Sequence, residues 1–132
     1  ARLTTVGLRD YSKEEMDRIA SDERIDCFYD HEIKKEAFEG KGWNHQVETI
    51  LSNLGERVYL SLDVDGLSPE FCPHTGTPVP GGLSFDQVNY LISRLKDSGK
   101  SIIGFDLSET GNNQLDGIFS ARLLYKLCGL LS

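Results

Sequence analysis

Apolar residues in this chain follow two rhythms. Four short runs, LTTVGL from Leu3 to Leu8, IDCFYD from Ile25, RVYLSLD from Arg57 and SIIGFDLS from Ser101, are bounded by polar or turn residues and read as strands. Between them the apolar positions take helical spacing. SKEE (Ser12 to Glu15) is a capping box, a serine with a glutamate three residues on, and predicts a polar helix running to about Arg24. A charged helix is expected near Glu32 to Glu39 and is broken by KGWNH. Asn44 is then expected to cap a helix carrying Val47, Ile50, Leu51 and Leu54, which Gly55 ends. A second capping box, Ser84 with Gln87, opens a helix whose stripe of Phe85, Val88, Leu91, Ile92 and Leu95 faces a core, with Gly99 as its stop. The final GIFSARLLYKLCGLL is apolar on most sides and predicts a helix packed into the domain.

Strands alternating with helices across short turns predict an α/β fold, a mainly parallel sheet with helices covering its faces. In such folds ligands bind beyond the carboxyl ends of the strands. Asp10 follows the first strand, Asp63 and Asp65 the third, and Glu109 the fourth.

Composition narrows the function classes. The 132 residues suit one domain rather than two. A formal net charge of −7 argues against nucleic acid or an anionic membrane surface as partner. No apolar run approaches the ~20 residues that span a bilayer, and no signal peptide opens the chain, which starts almost directly on a strand. Cys27, Cys72 and Cys128 are odd in number and lack CxxC spacing, so neither a disulfide framework nor a zinc–thiolate site is expected; the cytoplasm is the expected compartment.

The densest chemistry lies in YLSLDVDGLSPEFCPHTGTPVPGGL, residues 59–83. Positions i and i+2 of a strand share a face, so Asp63 and Asp65 are expected side by side at a strand end. Adjacent carboxylates repel unless a cation or a shared proton lies between them, and their oxygens suit hard divalent ions such as magnesium or manganese. Turn caps, or ion pairs with Arg57 or Lys100, would account for them equally. HTGTPVPGG lacks the GK[ST] ending of a phosphate-binding loop and reads as a rigid pocket wall. Thr77 in it is either a hydroxyl donor to substrate or a turn residue.

SLDVDGLSPEFCPHTGTPVPGGLSFDQ, together with VGLRD, IIGFDLSET and ARLLYKL, resembles the C-terminal signature of the ureohydrolases: arginases, agmatinases and formimidoylglutamases. The resemblance covers nearly the whole chain. It implies a three-layer α/β fold, of which residues 1–132 form the C-terminal part of a single domain, and hydrolysis of guanidino or formimino C–N bonds by a hydroxide bridging two manganese ions. By position, Asp63 is similar to the carboxylate that bridges both ions and acts in catalysis. Asp65 is similar to a ligand of one ion, Glu109 to the glutamate that holds the substrate guanidinium, and Thr77 to a pocket threonine. Homo-oligomers are also implied.

The chain departs from the family pattern in several places. GGDHS-type and DAHxD-type metal motifs are absent, which implies a chain inactive by itself. His31 and His45 lack such neighbours and read as ordinary histidines; His74 lies in the signature loop with a pocket role open to it. Ser68 stands where the family usually has aspartate. Ser12 stands where arginases place an aspartate for the substrate amino group, which favours formimidoylglutamase or agmatinase over arginase. Two other readings compete. One is a non-catalytic half-domain that associates through an exposed sheet edge. The other is a magnesium-dependent phosphatase of the haloacid-dehalogenase type, whose DxDG motif normally follows the first strand, not the third.

Overall fold

The computed structural model describes residues 1–131, which divide into two compact units, Ala1–Gly55 and residues 56–131. Both are α/β, and in each a pair of parallel strands is flanked by helices. The strands form two two-stranded sheets, β1 with β2 and β3 with β4.

In the first unit β1 (Leu3–Leu8) pairs with β2 (Ile25–Tyr29), with a register shift between Val6 and Leu8. The helix between them, α1 (Lys13–Ser21), opens on the expected reciprocal cap: Ser12 N–H donates to Glu15 Oε2 (2.7 Å) and Glu15 N–H to Ser12 Oγ (3.2 Å). It ends three residues before Arg24. The Asp22 carboxylate accepts from the backbone N–H, Nε and Nη2 of Arg24 (3.1, 2.9 and 2.7 Å), folding the chain into a turn that feeds β2. Those Arg24 bonds also hold the Asp22 carboxyl well below the usual carboxylate range.

The charged helix α2 (Asp30–Phe38) begins straight after β2, two residues earlier than its charge pattern predicts. The next, α3 (Trp43–Asn53), is capped by Gly42 and not by Asn44, because the Gly42 carbonyl accepts the first helical bonds, from His45 and Gln46. Ile33, Val47, Ile50 and Leu51 are buried as this unit's core. Buried Gln46 donates to the carbonyls of Ile33 (3.1 Å) and Lys41 (3.3 Å), fixing the connection between α2 and α3.

In the second unit β3 (Arg57–Asp63) pairs with β4 (Ser101–Ser108) so that Asp63 lies opposite Ser108 at the carboxyl end. The helix α4 (Phe85–Asp97) has the predicted Ser84–Gln87 cap and buries Val88, Ile92 and Leu95 of its stripe. The last helix, α5 (Gln114–Cys128), packs on α4 and β4 through Leu123 and Leu127. It is less enclosed than its composition predicts. With α4 and β4 covering one face, Ile118, Leu124 and Tyr125 on the others remain exposed. Among the described residues no helix is long and apolar enough to cross a membrane.

Candidate functional site

The candidate residues Asp63, Asp65, His74, Thr77 and Glu109 all belong to the second unit, at the carboxyl ends of β3 and β4 and in the loop between β3 and α4. Asp10 belongs to the first unit.

Asp63 and Asp65 are not strand neighbours. The strand β3 ends at Asp63, and Val64–Gly66 turn into a 3-10 helix, with Val64 fully buried beneath it. The strand period of two therefore stops at the first aspartate. Instead, Asp63 caps the turn, its Oδ1 accepting the backbone N–H of Asp65 at 2.8 Å. A short polar acceptor at the first position of a tight turn favours this geometry. Asp63 remains exposed and Asp65 half-buried.

The loop that follows is closed at its base. Ser68 N–H donates to the Leu83 carbonyl (2.8 Å), and Leu83 N–H to the Gly66 carbonyl (3.0 Å). Gly82 permits this closure: its φ is +89°, and a Cβ there would lie 2.6 Å from the Leu67 carbonyl group. Ser68, the position expected to carry aspartate, supplies backbone groups to this base. Phe71 packs against Phe119 of α5 (ring centroids 5.4 Å apart) and Phe85 of α4 (6.3 Å). Cys72 is buried behind it, and burial, reinforced by the Asp116 carboxylate, pushes its thiol up to about 11. In the absence of a bound cation that thiol is neutral near pH 7.

Three successive loop residues then reach three different acids. His74 meets Asp116, in the first turn of α5, twice: its N–H donates to Oδ2 (3.0 Å) and its Nδ1 lies 2.9 Å from Oδ1. Thr75, buried, donates its hydroxyl to Asp65 Oδ1 (3.2 Å). Gly76 lies against Glu109, where a Cβ would be 3.7 Å from Oε2. Gly111 lies so close to His74 that a Cβ would overlap its carbonyl oxygen. Residues 74–76 thus run alongside residues 111–109, joining the carboxylates after β3 to the glutamate after β4. Thr77 follows, exposed.

Glu109 has φ +62°, the one non-glycine residue with positive φ among those described. A side chain in this region costs about 1–3 kcal/mol and persists where surrounding structure enforces it, most often at functional sites. The fourth strand thus ends on an exposed carboxylate held in a costly conformation.

The sequence pattern gave no indication of Asp116. It is fully buried yet lies in the unremarkable run NNQLDG, 42 residues from its histidine partner.

Asp63 and Asp65 offer hard oxygen donors, the right chemistry for a small divalent cation. They do not make a complete cage: among the described residues no group of three or more His, Cys, Asp or Glu side chains could hold a metal ion.

Comparison with known proteins places this arrangement. The model of the arginase family matches residues 1–129. N(1)-aminopropylagmatine ureohydrolase of Thermus thermophilus is 35% identical over 130 residues, 97% of this chain and 41% of that protein. An arginase of Coccidioides immitis is 32% identical over 132 residues, 98% of this chain and 38% of that protein. Among solved structures, arginase from Bacillus subtilis superposes with a TM-score of 0.81 at 28% identity, over 96% of this chain and 44% of that one. The chain thus spans about two fifths of the length of the relatives it matches.

Proposed function

The chain belongs to the arginase family, and on that premise we propose that the protein carrying it hydrolyses guanidino or formimino compounds at a two-manganese centre. Residues 1–132 are then the C-terminal part of its single α/β domain. The observation that carries this reading is the loop that ties Asp65, through Thr75, to the same short segment that Glu109 borders. Metal-side and substrate-side carboxylates are set in one rigid frame.

Asp63 and Asp65 would hold the ions, with the remaining ligands supplied from elsewhere in the whole protein; the chain alone is then inactive. Bound ions of this kind supply hydroxide from water at neutral pH. Glu109 orients the substrate. A carboxylate accepts two parallel N–H bonds from a guanidinium or amidinium and neutralises its charge, holding the planar carbon in a fixed direction. Thr77 donates its hydroxyl at the pocket wall. Thr75 holds Asp65 in place, the kind of supporting bond that keeps a ligand carboxylate from swinging away.

Agmatine-type or formimino substrates are favoured over arginine. Ser12 is engaged as the cap of α1 in a reciprocal pair with Glu15, which supports a structural use for the position where arginases place an aspartate. The same chemistry fits a soluble, cytoplasmic homo-oligomer acting on a small molecule, with no nucleic-acid or membrane partner.

The test is to assay the whole protein, loaded with manganese, against agmatine, formiminoglutamate and arginine. Release of urea from agmatine, or of formamide or ammonia from formiminoglutamate, is expected to exceed turnover of arginine by at least about tenfold, a difference of about 1.4 kcal/mol in transition-state binding. Preference for arginine would overturn the substrate assignment, and no turnover of any of the three would overturn the function.

A further inference from the structure

The first unit holds a cleft of about 300 Å³ between β2, α2 and α3. That volume is at the small end of ligand-binding clefts, which run from about 300 to 1,000 Å³. Ile33, 3% exposed, and half-buried Phe28 supply apolar wall. The polar groups on the wall are unevenly matched. Glu32 and Glu36, four residues apart on one face of α2, both line the cleft. Like charges at this spacing weaken a helix, and only one of the two is relieved. Glu36 takes the Lys41 ammonium at 2.9 Å, whereas no described lysine or arginine pairs with Glu32.

Gln46 of α3 lines the same cleft and is only 4% exposed. Both N–H bonds of its amide go to backbone carbonyls, those of Ile33 (3.1 Å) and Lys41 (3.3 Å). Its Oε1 remains, an acceptor to which no described residue donates. Thr49 spends its hydroxyl hydrogen on the His45 carbonyl (3.2 Å) and keeps only lone pairs to offer. The His45 ring can donate or accept, so it does not decide between ligands. The cleft therefore presents a lone carboxylate, a buried amide oxygen and a hydroxyl oxygen, all acceptors, beside apolar surface. Among the described residues no group of three His, Cys, Asp or Glu side chains could hold a metal ion, so the cation this lining suits is an organic one.

We propose that this cleft binds a small organic cation, a protonated amine or guanidine on a short apolar chain. The N–H groups of the ligand donate to Glu32, Gln46 Oε1 and Thr49 Oγ1, and its chain lies along Ile33 and Phe28. The unpaired carboxylate and the unused amide oxygen each gain a partner. The inference does not rest on the proposed reaction, since every residue in it belongs to the first unit.

Calorimetric titration of the whole protein with n-butylammonium tests it, with n-butanol and butyrate as the neutral and anionic counterparts. One site per chain is expected for the cation, at least about tenfold tighter than for either counterpart. Glu32→Gln keeps the shape and removes the charge, and should weaken that site more than about tenfold. Lys41→Ala should act the other way. It removes the ammonium from the wall and frees the Glu36 carboxylate, so binding should tighten by about threefold or more. Damage to the fold would weaken binding in both variants, so the opposed signs separate recognition from damage. A cation held at Glu109 would be unaffected by either change. No binding of n-butylammonium by the wild type, equal binding of n-butanol, equal affinity in Glu32→Gln, or unchanged or weaker binding in Lys41→Ala would overturn the inference. Each of these results leaves the proposed hydrolysis standing, and a protein inactive on every guanidino and formimino substrate would leave this site standing.

Discussion

Glu109→Gly is expected to remove activity from the whole protein without weakening its fold. The exposed glutamate is in the left-handed region at φ +62°, where glycine carries no Cβ penalty. Relief of that cost, about 1–3 kcal/mol, opposes the greater chain entropy of glycine when unfolded, roughly 0.5–1 kcal/mol. The balance is neutral to slightly stabilising. Activity should move the other way. Removing one partner of a desolvated, hydrogen-bonded charge pair costs about 2–5 kcal/mol, so kcat/KM should fall by roughly 30- to several-thousand-fold. Thermal melting and steady-state kinetics on the same preparation check both halves. A variant as active as wild type would show that Glu109 does not hold the substrate. A variant that unfolds would show that its backbone conformation is not a cost borne for function.

Gly111→Ala is the second large effect, by the opposite route. A Cβ there would overlap the His74 carbonyl oxygen and lie 2.5 Å from Asp116 Oδ2. Neither neighbour can yield easily: one is backbone, the other is a fully buried carboxylate already bonded twice to His74. One methyl group must push residues 74–76 away from residues 109–111. The expected cost is about 1–3 kcal/mol of stability, as for other overpacked sites. Activity should fall by more than about 100-fold, since a displacement near 1 Å of a positioning element is enough for that. Gly117, one turn into α5, is the control, because a Cβ there meets nothing within 4 Å. Equal effects at the two positions would refute the close apposition of the loops.

The contrast between these two glycines shows what could be read from sequence. Local signals were legible: both capping boxes, all four strands and the stop after α4 follow from neighbours a few residues apart. Boundaries moved where a side chain competed with the backbone, as when Asp22 captured Arg24 and ended α1 early. The aspartate pair was found, but its geometry was misjudged, because strand alternation was carried one turn past the end of β3. Long-range features were not legible. Nothing near Asp116 announces a buried carboxylate, and nothing near His74 announces its partner; only the fold brings them together. The exposure of Tyr125 and Leu124 on α5 has the same origin, since which face of an apolar helix is covered depends on neighbours distant in sequence.

The account's central claim is that Asp63 and Asp65 are metal ligands, and a manganese titration by calorimetry tests it most directly. The whole protein and its Asp63→Asn variant should be titrated side by side after chelation. The account predicts two manganese ions per wild-type chain, and at least one lost or weakened more than about tenfold (1.4 kcal/mol) in the variant, because an amide replaces a charged ligand oxygen. Absence of binding in the wild type, or binding of equal strength in the variant, would contradict it.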